Sequence, residues 1–108
     1  MRVVEFLAID GHSPFAAWFG TLESQAAAKV TVALARIEQG NLASLKSVGA
    51  GVLEHRIDWG PGYRVYLGRD GDELVILLTG GTKRRQQADI AAAQARWQEY
   101  RQRMKERT

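Results

Sequence analysis

Residues 54–67, EHRIDWGPGYRVYL, read as two short strands joined by a glycine-proline turn, and their alternation decides how the chain folds. A strand period of two sends Glu54, Arg56 and Asp58 to one face and His55, Ile57 and Trp59 to the other. After Gly60-Pro61-Gly62 the chain returns with Arg64 and Tyr66 on one face and Tyr63, Val65 and Leu67 on the other. A hairpin with guanidinium and polar groups on one side and apolar groups on the other forms a floor suited to an anion.

Beyond this hairpin, Asp70-Gly71 is a second hairpin signal, because a two-residue turn needs positive φ at both central positions. It leads into an apolar strand near 73–79 containing LVILLT, apolar on both faces and therefore expected inside the sheet, covered on each side. Gly80-Gly81-Thr82 breaks the pattern, Lys83-Arg84-Arg85 follows, and Ile90, Ala93, Trp97, Tyr100 and Met104 recur at helical spacing from about Gln86 to Met104.

Toward the N-terminus, residues 3–9 read as a strand. Ser13-Pro14 then starts a helix running to about Leu22, with serine as cap and proline at the first helical position. A second helix is expected from Ser24, as a serine cap, to Gly40, with Ala27, Val30, Leu34 and Ile37 as its apolar stripe and Lys29, Arg36 and Glu38 off it. The segment 41–51, which contains Lys46, reads as a loop. The order is strand, two helices, three antiparallel strands and a helix. It predicts a single α+β domain spanning 1–108, with a small antiparallel sheet in one layer and helices in the other.

At 108 residues without cysteine, the chain has neither disulfides nor thiolate zinc sites, and its composition fits a reducing cytoplasm. No apolar run reaches the roughly 18 residues of a membrane span, and no signal segment is visible, so a cytoplasmic protein without membrane contact is expected. The net charge of +3 is unevenly spread. From Lys83 onward eight basic residues face three acidic ones, which hints at a polyanionic partner; a solvated terminal helix reads the same way.

Phosphate loops, paired histidines at helical spacing and nucleophile elbows are absent, so no cofactor or metal is expected. His12 and His55 stand alone, and a structural role suits His55 better than general-base work. What remains is a cationic constellation of Arg56, Arg64, Lys83 and Arg84 with Glu54 among them. Lys46, Tyr66, Arg85 and Asp89 are further candidates for RNA contact. Guanidinium groups match phosphate bidentately, and bases stack on exposed aromatics.

The pieces GVLEHRIDWGPGYRVYL and LVILLTGGTKRRQQADI, with WFGTL and the closing WQEY, resemble the RelE/ParE superfamily of toxins from type II toxin–antitoxin modules. More narrowly they resemble its HigB-like addiction module killer branch, over most of the chain from about Phe15 to Tyr100. The resemblance implies a RelE-like fold, an antiparallel sheet against an N-terminal helical hairpin with a C-terminal helix. It also implies a toxin that cuts mRNA in the ribosomal A site without metal, the 2′-hydroxyl attacking the adjacent phosphate. Arg64 of GYR would match the arginine that stabilises the phosphate, Arg56 a basic strand position, and Lys83 and Arg84 the basic pair after the last strand. The implied partners are the ribosome, mRNA and a HigA-like helix-turn-helix antitoxin through which operator DNA is reached.

Two positions depart from that pattern. Glu54 stands where relatives use a lysine as general base, and Ile90 where some carry a catalytic tyrosine. Glu54 is then either a replacement base or a cross-strand partner of the arginines, which would lower its pKa. Asp89 is either a second acid or base or a favourable anion near a helix start. Two other functions stay open: a ParE-like inhibitor of DNA gyrase without RNase activity, and a non-catalytic RNA- or protein-binding module on the same scaffold.

Overall fold

The structure, a computed structural model, describes residues 1–107. Its elements in chain order are β1 (Arg2–Glu5), α1 (Pro14–Phe19), α2 (Ser24–Glu38), β2 (Lys46–Ser47), β3 (Val52–Ile57), β4 (Tyr63–Asp70), β5 (Leu74–Thr82) and α3 (Gln86–Glu106). A single 3₁₀ turn, Lys83–Arg85, joins β5 to α3. The class is α+β, as the order of elements predicts. The sheet is five-stranded, in the order β1-β5-β4-β3-β2.

That sheet is mixed, which corrects the expectation of an antiparallel one. β1 lies parallel to β5, with Val3 opposite Val75 and Val4 opposite Ile76, while the other pairs are antiparallel. Parallel neighbours need a long crossover, and here α1, α2 and three strands intervene between them. β1 is also shorter than the expected strand over 3–9, because a turn closes at once: the Gly11 amide donates to the Ala8 carbonyl and the Ala8 amide to that of His12.

The two-layer expectation is corrected too, since helices cover both faces of the sheet. On one face Phe15 from α1 and Val30, Ala33 and Ile37 from α2 pack on Ile57, Val65, Leu67, Val75 and Leu77. On the other, Ala93 and Trp97 from α3 pack with Phe6, Val52, Tyr66, Ile76 and Leu78. β5 is accordingly buried along nearly its whole length, as its double-sided apolar pattern requires.

Local chemistry accounts for most boundaries. The Ser13 hydroxyl accepts from the Ala16 amide at 3.0 Å, and Pro14 opens α1 as expected. For α2 the cap is Glu23, whose carboxylate accepts from the Ala26 amide at 3.2 Å, so Ser24 is the first helical residue and not the cap. α2 stops with the Asn41 amide donating to Arg36 and the Gly40 amide to Ile37, the paired closure that a left-handed residue permits. The β4–β5 hairpin forms, but Asp70 pairs with Leu74, so three residues connect the strands where the dipeptide predicts two. Lys46 lies in the short edge strand β2, inside the segment expected to be a loop.

Two adjacent glycines near the end of β5 let both helices approach the sheet closely. A side chain on Gly80 would collide with the indole of Trp18 on the α1 side. One on Gly81 would collide with the carboxyl of Asp89 on the α3 side. Both helical layers thus press on bare backbone.

Candidate functional site

The β3–β4 ladder pairs Glu54 with Tyr66 and Arg56 with Arg64. Cross-strand partners share a face, so the alternation read from the sequence does gather these four side chains. That face is not open surface, because α3 roofs it. Glu54 and Tyr66 are wholly buried, Arg64 is 5% exposed, and the Arg56 side chain keeps about half its surface in solvent at the rim (54%).

Glu54 is the centre of the arrangement. Arg56 donates through Nε to Glu54 Oε1 at 2.8 Å, and Gln86 donates through Nε2 to Oε2 at 3.0 Å. Arg64 Nε lies 3.6 Å from Oε2, an ion pair without a hydrogen bond. Arg64 is anchored instead by Nη1, which donates to the Gly62 carbonyl at 2.8 Å; the Lys83 amide donates to that same carbonyl at 2.9 Å. One carbonyl of the turn therefore ties the strand that carries Arg64 to the segment that carries Lys83.

Above this support lies a cleft of about 370 Å³ lined by Arg56, Ile57, Asp58, Gly62, Tyr63, Arg64 and Lys83. Three cations border it. Asp58 at its rim and Glu54 beneath offset part of that charge, leaving a site matched to a single phosphate more than to a polyphosphate.

The sequence candidates separate in the structure. Arg56, Arg64, Lys83 and Glu54 come together. Arg84 and Arg85 follow Lys83 in the 3₁₀ turn, exposed and outside the cleft lining. Lys46 pairs with Glu54 across the β2–β3 ladder and is exposed at that edge. Tyr66 is buried under α3 and so has no free ring face for a base, which corrects its assignment as a stacking residue. Its hydroxyl is buried with no hydrogen-bond partner, and burial together with the neighbouring Glu54 carboxylate pushes its pKa up.

The two carboxylates differ in electrostatics. Burial alone would raise the pKa of Glu54, but hydrogen bonds from Arg56 and Gln86 outweigh it and hold the group below its ordinary 4.5. Asp89 goes the other way: burial raises it, against the pull of Arg85 and Arg96. Since Gly81 is the cross-strand partner of Arg64, the Asp89 carboxyl, which fills the place of a Gly81 side chain, stands beside Arg64 on the same face.

Sequence reasoning missed Gln86 as a ligand of Glu54 and the Gly62 carbonyl as a tether. Nothing in local pattern marks either, because both depend on how α3 and the turn meet the sheet. Among the described residues no group of three or more His, Asp or Glu side chains is placed to hold a metal ion. Among the same described residues no helix is long and apolar enough to cross a membrane.

No family model matches the chain. A Haemophilus influenzae protein described as an uncharacterized protein is 44% identical to it over 86 residues, a match that spans 79% of this chain and 87% of that one. With that identity and coverage, the chain belongs to the same family as the Haemophilus influenzae protein.

Proposed function

We propose that the chain is the toxin of a type II toxin–antitoxin module, a RelE-like, HigB-like endoribonuclease that cuts mRNA on the ribosome and inhibits translation. The observation that carries this reading is the convergence of Arg56, Arg64 and Lys83 on one cleft, with two of the three fixed from below. In the reaction, the 2′-oxygen of a nucleotide attacks its own 3′-phosphate and the bond from phosphorus to the next 5′-oxygen breaks. One proton leaves the 2′-hydroxyl and one reaches the departing 5′-oxygen, giving a 2′,3′-cyclic phosphate and a 5′-hydroxyl.

The pentacoordinate intermediate carries more charge on its equatorial oxygens than the starting diester. Cations already oriented by Glu54 and Gly62 stabilise it without reorganising during the reaction, which is where such a site gains most of its rate. Glu54, ionised and with both oxygens engaged, serves as the anchor of Arg56 and Arg64 and not as the base. Asp89, whose pKa burial raises and which lies over Gly81 on the Arg64 face just outside the cleft lining, is a better proton acceptor than Glu54. A HigA-like helix-turn-helix antitoxin in the cytoplasm would neutralise the toxin and link it to operator DNA.

Mapping mRNA 5′ ends after brief induction of the wild type and of Arg64→Ala tests the reading. New 5′ ends within codons, absent in Arg64→Ala, are expected. Growth arrest without new ends would favour the gyrase-inhibitor reading. Ribosome or RNA binding without cleavage would favour a non-catalytic module, which the full engagement of Glu54 and the isoleucine at position 90 also suit.

A further inference from the structure

On the opposite face of β3 lies a second cleft, about 400 Å³, bordered by Lys29, Val32 and Arg36 of α2 together with His55, Asp58 and Trp59. Lys29 and Arg36 are seven residues apart, hence on one side of the helix and about 10 Å apart along its axis. Both are exposed, and among the described residues neither forms an ion pair. Lys29 Nζ sits 5.4 Å from the centre of the Trp59 ring, and that ring also stacks on Tyr63 at 6.1 Å. The cleft therefore offers cations, an aromatic plane and an apolar wall together.

The two clefts share part of their lining. Ile57 and Asp58 line both, and Tyr63, which lines the arginine cleft, is the stacking neighbour of Trp59 in the second. We infer that a single strand of RNA held by one phosphate at Arg56, Arg64 and Lys83 continues past Asp58 into the second cleft. There a neighbouring base stacks on Trp59 and flanking phosphates engage Lys29 and Arg36. This rests on the endoribonuclease reading of the first cleft and extends it to a longer substrate footprint.

The chemistry of each wall suits the role. Stacking on an aromatic ring is tolerant of sequence, and an exposed lysine lying on that ring can swing to a phosphate as a base takes its place. Asp58 at the shared rim repels phosphate and accepts from base N–H groups, so it turns bases, not backbone, toward the protein at the crossing. His55 adds a polar wall without charge: burial, helped by Arg36, lowers its pKa, and its Nδ1 lies 3.0 Å from the Ser44 hydroxyl.

The test uses the purified full chain and fluorescein-labelled 2′-O-methyl RNA, which lacks the attacking hydroxyl, as a trimer and as a heptamer. The wild type is expected to bind the heptamer more tightly. Lys29→Ala with Arg36→Ala should remove that advantage, leave trimer binding unchanged, and reduce the log–log salt slope for the heptamer by about 1.4. Trp59→Leu should weaken heptamer binding by roughly five- to 150-fold. Unaltered heptamer affinity in the double variant, with Arg64→Ala still weakening both oligonucleotides, would overturn this inference alone. Loss in the double variant with no effect of Arg64→Ala would overturn the arginine-cleft reading and the shared path with it. Absence of heptamer binding by the wild type at low salt would overturn the path as well.

Discussion

Asp89 of α3 occupies the space that a side chain on Gly81 would take in β5. This places a carboxyl with a raised pKa on the same face of the sheet as Arg64, while Glu54, paired with Arg56 and Arg64, is held low. Under the proposed endoribonuclease reading, two carboxylates pushed in opposite directions by their surroundings would divide anchoring, at Glu54, from proton transfer, at Asp89.

Asp89→Asn is therefore expected to lower single-turnover cleavage on programmed ribosomes by about 10²–10⁴. It should also erase the limb of the pH–rate profile that rises through the Asp89 pKa. An unchanged profile would return Asp89 to the role of a helix-start anion.

Glu54→Gln should cost stability more than chemistry. The amide cannot neutralise Arg64, which is almost fully buried, and leaving a buried charged donor poorly satisfied costs about 1–3 kcal/mol in urea unfolding. Cleavage should fall less than about a hundredfold, the lower range for loss of a general base. The sign of the pH effect follows from the lowered pKa: the stability Glu54 contributes is present above its unfolded value near 4.5 and is lost as pH falls through the lower folded value. Acid unfolding of Glu54→Gln below pH 4.5 should be correspondingly shallower than that of the wild type.

Arg64→Ala removes the guanidinium fixed by Gly62 and should reduce cleavage by about 10²–10³ while antitoxin binding persists. Arg64→Lys should recover little, because a lysine keeps the charge but loses the planar fork that reaches the Gly62 carbonyl and a phosphate together. Comparable cleavage by the lysine variant and the wild type would show that only charge matters at this position.

Lys83 and Arg84, equivalent by sequence, should separate in experiment. Lys83 lines the cleft and Arg84 does not. Lys83→Ala should lower the salt dependence of RNA binding by about 0.7 in log–log slope and also slow cleavage, whereas Arg84→Ala should act on ribosome association alone. Equal cleavage rates in the two variants would contradict the placement.

The gathering of Glu54, Arg56, Arg64 and Tyr66 on one face is legible in the sequence because strand alternation admits only two sides. The same alternation cannot tell an exposed face from a roofed one. Tyr66 reads as a stacking surface for that reason, since the element covering it, α3, begins only at Gln86, well beyond the hairpin. The double-sided burial of β5 is written in LVILLT, yet a two-layer architecture contradicts it, and the structure follows the strand. The parallel pairing of β1 leaves no local mark. A few residues of apolar and charged character carry no sign of direction, which is set by the crossover and by the edge of the sheet left vacant.

At Gly80 and Gly81 the sheet becomes a thin partition, with an indole leaning on one side and a carboxyl on the other and only peptide units between them. A displacement of Trp18 therefore has no side chains to absorb it before it reaches Asp89. A lesion in the short helix α1, on the far side of the sheet from the arginines, becomes a way to disturb the position of Asp89 without touching the cleft. Conditional alleles of this protein should accordingly arise at Trp18 and Gly80 as readily as at the charged residues themselves.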